Sequence, residues 1–192
     1  MLDLITKSTV RKKIILLFMY NPDKSYYLRQ ISRLIGVSAG NAQQELKKLK
    51  DSGLLTKERK GNLVYFKINK KNPLFNDFKN IVDKTIGLKN ILKEELEKVR
   101  GIDFAFLFGS YVKGDFSPDS DIDLYVIGDI SEKKLYQLIR KVEEKIYREI
   151  SYHLATRGEF QKKIRESFFH KEILKNFILV IGNQNEFEKF IK

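Results

Sequence analysis

The chain has 192 residues, no cysteine and a formal net charge of +12. That length holds one large or two small domains, and the lack of cysteine excludes a disulfide framework and any thiolate metal site. No apolar run approaches the roughly 20 residues of a membrane-spanning helix, so a membrane is not an expected partner and the expected location is cytoplasmic. The charge is uneven: residues 1–90 carry 19 Lys and Arg against 7 Asp and Glu, whereas residues 91–192 carry 18 of each. The whole excess therefore lies in the first half, the pattern of a nucleic-acid-facing module joined to a neutral one.

In chain order, Arg11-Lys12-Lys13 ahead of the apolar run 14–20 has the outline of a secretory signal. The run is short, no small-residue cleavage site follows, and Asn21-Pro22-Asp23 closes it as a turn, so residues 9–20 read as a buried helix. Residues 21–25 read as a loop. Residues 27–35 predict a second helix, with Leu28, Ile31, Leu34 and Ile35 at helical spacing. In Gly36-Val37-Ser38 the glycine ends that helix, Val37 plugs the core and Ser38 caps the next helix. The third helix, 39–51, has Ala42, Leu46 and Leu49 on its core face. Its other face shows Asn41, Gln43, Gln44, Lys47, Lys48 and Lys50, amides suited to base edges and lysines suited to phosphates.

Residues 54–58 and 63–68 predict two strands, joined by Arg59-Lys60-Gly61-Asn62 as a hairpin turn with a basic tip. Three helices and a basic hairpin resemble the winged helix-turn-helix of small prokaryotic transcription regulators. The resemblance covers about residues 8–70. It implies double-stranded DNA as partner, with the third helix in the major groove and the wing on the backbone. The residues expected at DNA are Ser38, Asn41, Gln43, Gln44, Lys47, Lys48, Arg59 and Lys60. A winged helix used for protein docking is the other reading. The expected division is 1–72 for this domain, 73–100 for linking helices, with Gly87 breaking 74–86 from 88–99, and 101–192 for the rest.

The second half carries the most informative stretch. Residues 104–108 read as a buried strand ending at Gly109, and 122–127 as another stopped by Gly128. Between them run Gly109-Ser110-Tyr111-Val112-Lys113-Gly114 and then Ser120-Asp121-Ile122-Asp123. Asp121 and Asp123 are two apart on a strand, so both leave one face. Their repulsion is relieved by a divalent cation, and Mg²⁺ suits all-oxygen ligands that include substrate phosphates. The Gly-Ser turn offers a phosphate close backbone approach, free N–H groups and a hydroxyl. Further on, 132–147 predicts a helix, 150–155 a strand, 158–167 a short helix, 177–181 a strand, and a last helix follows.

These residues are similar to the signature of minimal nucleotidyltransferases of the DNA polymerase β superfamily, matched at Gly109, Ser110, Lys113, Gly114, Ser120, Asp121 and Asp123. The resemblance implies an α+β protein: a winged helix-turn-helix followed by a small mixed-sheet α/β nucleotidyltransferase domain. It also implies a nucleoside triphosphate and Mg as ligands. Asp121 and Asp123 are the expected metal ligands, and Gly109, Ser110, Lys113, Gly114 and Ser120 the nucleotide-binding residues. Active relatives usually add a third carboxylate from the third strand, where this chain has Ser151. Glu149 is either a substitute for it or an ordinary helix-end charge paired with Arg148 or a lysine. His153 reads as structural, and His170 sits in no motif. The expected function is a DNA-binding transcriptional regulator whose second domain binds Mg-NTP, with transfer to a hydroxyl left open. The alternative is an active nucleotidyltransferase, or the antitoxin of a toxin-antitoxin pair, whose winged helix docks a partner or autoregulates. A protein partner or a homodimer is open in either case.

Overall fold

A computed structural model of the chain describes residues 6–113 and 120–192. Gly114, one of the residues of the nucleotidyltransferase signature, lies outside the described residues. The chain is α+β and divides by its contacts into two units, Met1–Leu88 with Lys145–Tyr147, and Lys89–Glu144 with Arg148–Lys192.

In the first unit, α1 (Thr9–Tyr20) is capped by Ser8, whose Oγ accepts from the Arg11 N–H at 3.2 Å. Its run from Ile14 to Tyr20 is buried throughout, so the signal-like segment is core. Tyr26–Tyr27 forms a short strand, β1, and its second residue stands where the periodicity predicts the start of a helix. Both residues are good strand formers. Tyr26 packs edge-on to Phe18 at 5.7 Å, and Tyr27 meets its cross-strand partner Tyr65 at 5.7 Å. Helix α2 therefore starts one residue later, at Leu28–Ile35. Ile31 and Ile35, one turn apart, take the core positions, and Leu34 is exposed instead. Gly36 ends α2 at φ +64°, a left-handed cap that costs glycine nothing, and the Val37 N–H donates to the Ser32 carbonyl at 3.0 Å.

Ser38 then caps α3 (Ala39–Asp51), accepting from the Asn41 N–H at 3.3 Å. Ala42, Leu46 and Leu49 are buried, as their spacing requires, and Glu45 is buried beside them. Arg11 Nε donates to Glu45 at 2.6 Å and Lys48 Nζ at 3.1 Å. Burial alone raises the Glu45 pKa, but these two cations more than offset it and hold the carboxyl below its ordinary value. The wing is β2 (Leu55–Lys60) and β3 (Leu63–Ile68), with β3 central in the order β1-β3-β2. Lys60 pairs with Leu63, so the turn is Gly61-Asn62 alone. Arg59 and Lys60 thus lie on the strand, not in the turn. A two-residue hairpin needs left-handed backbone, which Gly61 supplies at φ +59°. Helix α4 (Phe75–Thr85) follows, and α5 (Leu88–Leu96) runs from the last residue of this unit into the second.

The second unit holds β4 (Ile102–Phe108), α6 (Gly109–Lys113), β5 (Ile122–Gly128), α7 (Glu132–Ile146) and β6 (Ile150–Ala155). It continues with α8 (Arg157–Glu166), α9 (Phe168–Ile173), β7 (Ile178–Ile181) and α10 (Gln184–Phe190). The short helix α9 is absent from the periodicity reading. Its six residues are too few to show a helical period, and Ser167 precedes it as N-cap. The sheet order is β6-β5-β4-β7: β5 and β6 are parallel, with α7 as crossover, and the other pairs are antiparallel. Period-two alternation gives the sheet two apolar faces. One carries Ile122, Leu124 and Val126, all fully buried. The other carries Phe104, Phe106, Phe108 and Tyr125, clustered with Phe160 of α8, Ile173 of α9 and Phe187 of α10.

Phe106 lies at the middle of that cluster, stacked on Tyr125 at 5.5 Å and in ring contact with Phe108, Phe160, Phe177 and Phe187. Phe106→Ala is expected to lower stability by about 3–5 kcal/mol, since so many fixed neighbours cannot collapse into the cavity. Urea unfolding followed by circular dichroism checks this; a loss below about 1 kcal/mol would mean that the cluster repacks.

Candidate functional site

The site forms where β4 ends and β5 and β6 begin. The Ile122 side chain is fully buried on one face of β5, so alternation turns Asp121 and Asp123 to the other. Asp123 pairs with Phe108 on β4 and with Ser151 on β6. One pair further along, Tyr125 lies between Phe106 and His153. Asp121 is exposed and Asp123 half-buried. Burial raises the Asp123 pKa from its ordinary 3.8; the neighbouring Asp121 charge raises it further, and His153 opposes both.

Gly109 is shaped around this carboxylate. It has φ +74°, and a Cβ there would stand 2.1 Å from Asp123 Oδ2. Any side chain would be strained in backbone and would displace the carboxylate. Ser110, half-buried, is the second residue of α6, and Lys113 is its exposed last residue.

Ser120 immediately precedes the aspartates, and its carbonyl oxygen accepts two guanidinium hydrogen bonds from Arg148. The Nε bond is 3.1 Å and the Nη2 bond is shorter. Arg148 is buried. It therefore holds the residue just before Asp121, whereas one reading of the sequence makes Glu149 a helix-end charge paired with Arg148 or a lysine. The adjoining strand start is held by Glu143, which accepts from the Ile150 N–H at 2.8 Å. Glu149 is exposed, and its carbonyl accepts from the Ile122 N–H at 3.2 Å. Ser151, the position aligned with a third carboxylate, is exposed beside Asp123. Among the described residues, no three Asp, Glu or His side chains converge as a metal cage.

Beside the carboxylates lies an aromatic group that includes His153, read as structural in the sequence, and His170, which sits in no motif. The His153 ring stacks on Tyr125 at 5.5 Å and meets Phe108 at 6.0 Å and Phe169 at 5.7 Å. His170 Nε2 lies 3.1 Å from the Tyr125 hydroxyl. Burial, then the nearby Lys163 and His153, lower the His170 pKa, and burial pushes the Tyr125 hydroxyl up to about 12. The signal in the sequence is period two along β6, which sets Ser151 and His153 on one face.

In the first unit, Asn41, Gln43, Gln44 and Lys47 are exposed on α3, and Ser38 is exposed as its cap. Lys48 is exposed and paired with Glu45. Arg59 is exposed on β2, with Nε donating to the Gly61 carbonyl at 3.1 Å. Lys60 reaches Glu58 at 3.5 Å and lies over the Tyr65 ring at 5.8 Å.

Residues 90–186 match the family model described as Polymerase beta, Nucleotidyltransferase, and the chain belongs to that family. A relative in Methanocaldococcus jannaschii, named "Putative protein adenylyltransferase MJ0604", is 31% identical over 99 residues, covering 52% of this chain and 92% of the relative. Solved structures give looser likenesses. A toxin-antitoxin structure with AMP-PNP is 19% identical, with TM-score 0.41, over 54% of this chain and 80% of the other. The transcriptional regulator BldR from Sulfolobus solfataricus is 16% identical, with TM-score 0.40, over 52% of this chain and 68% of the other.

Because its folded pKa is raised, Asp123 binds its proton more tightly folded than unfolded. Stability therefore falls as pH climbs from the ordinary 3.8 through the raised value, and the cost persists at neutral pH. Asp123→Asn without metal is expected to melt above wild type at pH 7, with the gap closing as pH drops below the ordinary carboxylate range. Added Mg²⁺ is expected to raise the melting temperature of wild type and not of the variant. Thermal scans across pH, with and without Mg²⁺, decide it; a gap independent of pH would refute the charge argument.

Proposed function

We propose that the second unit binds Mg²⁺ and a nucleoside triphosphate at Asp121 and Asp123 and transfers the nucleotidyl group to a hydroxyl. We propose in addition that the first unit binds double-stranded DNA, making the protein a transcriptional regulator. The observation that carries the first part is the carboxylate pair: two acids on one face, the inner one half-buried, beside a glycine whose missing Cβ leaves room for it. Such a donor set suits a hard, oxygen-preferring cation, and membership of the nucleotidyltransferase family supports the same reading. Bound there, Mg²⁺ supplies charge neutralisation for the carboxylates and the phosphate oxygens.

The chain's own groups do the rest by positioning. The Gly109 backbone and the Ser110 hydroxyl hold the outer phosphates, with Lys113 and Ser120 alongside. The acceptor oxygen attacks the α-phosphorus, the bond from that phosphorus to the bridging oxygen of the β-phosphate breaks, and pyrophosphate leaves. Glu149 takes the hydroxyl proton. Its place follows from the parallel register, which sets Ile150 against Ile122 and so brings Glu149 level with Asp121. The name of the Methanocaldococcus relative, which speaks of a protein adenylyltransferase, supports an adenylyl group as the one transferred and a protein as acceptor.

Glu149→Gln is expected to slow labelling of a protein acceptor by radiolabelled ATP about a hundredfold, with nucleotide affinity largely kept. Labelling by this variant at the wild-type rate would remove Glu149 from the reaction. Nucleotide affinity unchanged in Asp121→Asn with Asp123→Asn would refute the site itself.

The DNA reading rests on α3, whose exposed face offers amides and lysines, and on the charge excess of the first half. In gel shifts with the full chain, Lys47→Ala or Arg59→Ala is expected to weaken binding to all sequences and to reduce the salt slope by about one. Gln43→Ala or Gln44→Ala is expected to relax specificity by about 1–3 kcal/mol for each base that the amide reads. Absence of DNA binding at low salt would exclude the regulator reading.

A further inference from the structure

We propose that the exposed corner formed by the His153 and Phe169 rings receives the nucleobase of the bound triphosphate by ring stacking, an inference that rests on the nucleotide reading above. Two rows of side chains and one short helix define the place. Phe108, Asp123 and Ser151 form the row at the strand ends, and Phe106, Tyr125 and His153 the next. Same-face neighbours along a strand stand roughly 7 Å apart, so the histidine ring begins one side chain away from the carboxylate that faces the phosphates.

Phe169 borders both rows. Its ring meets Phe108 at 5.9 Å and 79°, and His153 at 5.7 Å and 62°. The two rings therefore form a corner rather than a closed stack, and both side chains are exposed. Phe168, next to it, is 77% exposed. A flat ring laid on exposed aromatic side chains gains a large apolar contact area. The corner is also braced from beneath. His153 stacks on Tyr125, and His170 of the same short helix meets the Tyr125 hydroxyl, holding α9 against the sheet. A preformed platform loses little entropy when a base arrives.

Every base has a π-face, so stacking alone accepts any of them. The larger purines cover more of the corner and are favoured.

The test uses the full chain in calorimetric titrations with Mg²⁺, comparing ATP with inorganic tripolyphosphate. Phe169→Ala and His153→Ala are each expected to weaken ATP about ten-fold and to leave tripolyphosphate unchanged, with Phe169→Tyr restoring ATP affinity. ATP affinity unchanged in both alanine variants, with tripolyphosphate still bound, overturns the base site while sparing the phosphate site. If neither ligand binds wild type, the triphosphate reading fails and the base site fails with it. Should Phe169→Ala not fold, the surface variant His153→Ala decides the question alone.

Discussion

Asp121 and Asp123 share one face of β5, and neither can leave it without pulling Ile122 out of the core. A shift of register by one residue would turn both acids onto the face where Ile122, Leu124 and Val126 are now fully buried. The apolar side of the strand therefore enforces the repulsion on the other side. Burial first, and the Asp121 charge second, raise the Asp123 pKa. Two acids held on one face by hydrophobic burial form a donor set that suits a hard cation.

Other parts of the second unit serve this arrangement. Gly109 leaves out the one atom that would collide with the Asp123 carboxylate. Arg148 is buried with its guanidinium on the Ser120 carbonyl, one residue before Asp121. Glu143 fixes the first amide of β6. The phenylalanines of β4 share the face of Asp123 and continue it into an aromatic core, so the polar end of the sheet grades into an apolar one within two residue rows.

In the first unit the electrostatics are sorted by burial. Glu45 turns inward on α3, where Arg11 and Lys48 cover its charge. What α3 leaves outward between Asn41 and Lys50 is amides and lysines. A buried acid bound to an arginine from another helix thus joins α1 to α3 while keeping negative charge off the outer face. That pairing rests on two partners 34 residues apart in the chain.

Much of this was legible in the chain itself. Alternation around Ile122, the glycine after five apolar residues and the helical spacing of Ala42, Leu46 and Leu49 are local patterns, and local patterns are read from neighbours in sequence. The winged order and the placement of Asp121 and Asp123 on one face followed from them. Other features needed the fold. Tyr26 and Tyr27 became a strand because Phe66 and Tyr65 lay alongside, and Leu34 lost its core place to Ile31 and Ile35. The turn of Arg148 to Ser120 joins residues 28 apart, and that of His170 to Tyr125 joins residues 45 apart. No periodicity encodes such contacts. They exist only once parallel pairing of β5 with β6 sets Tyr125 against His153 and α9 closes over them.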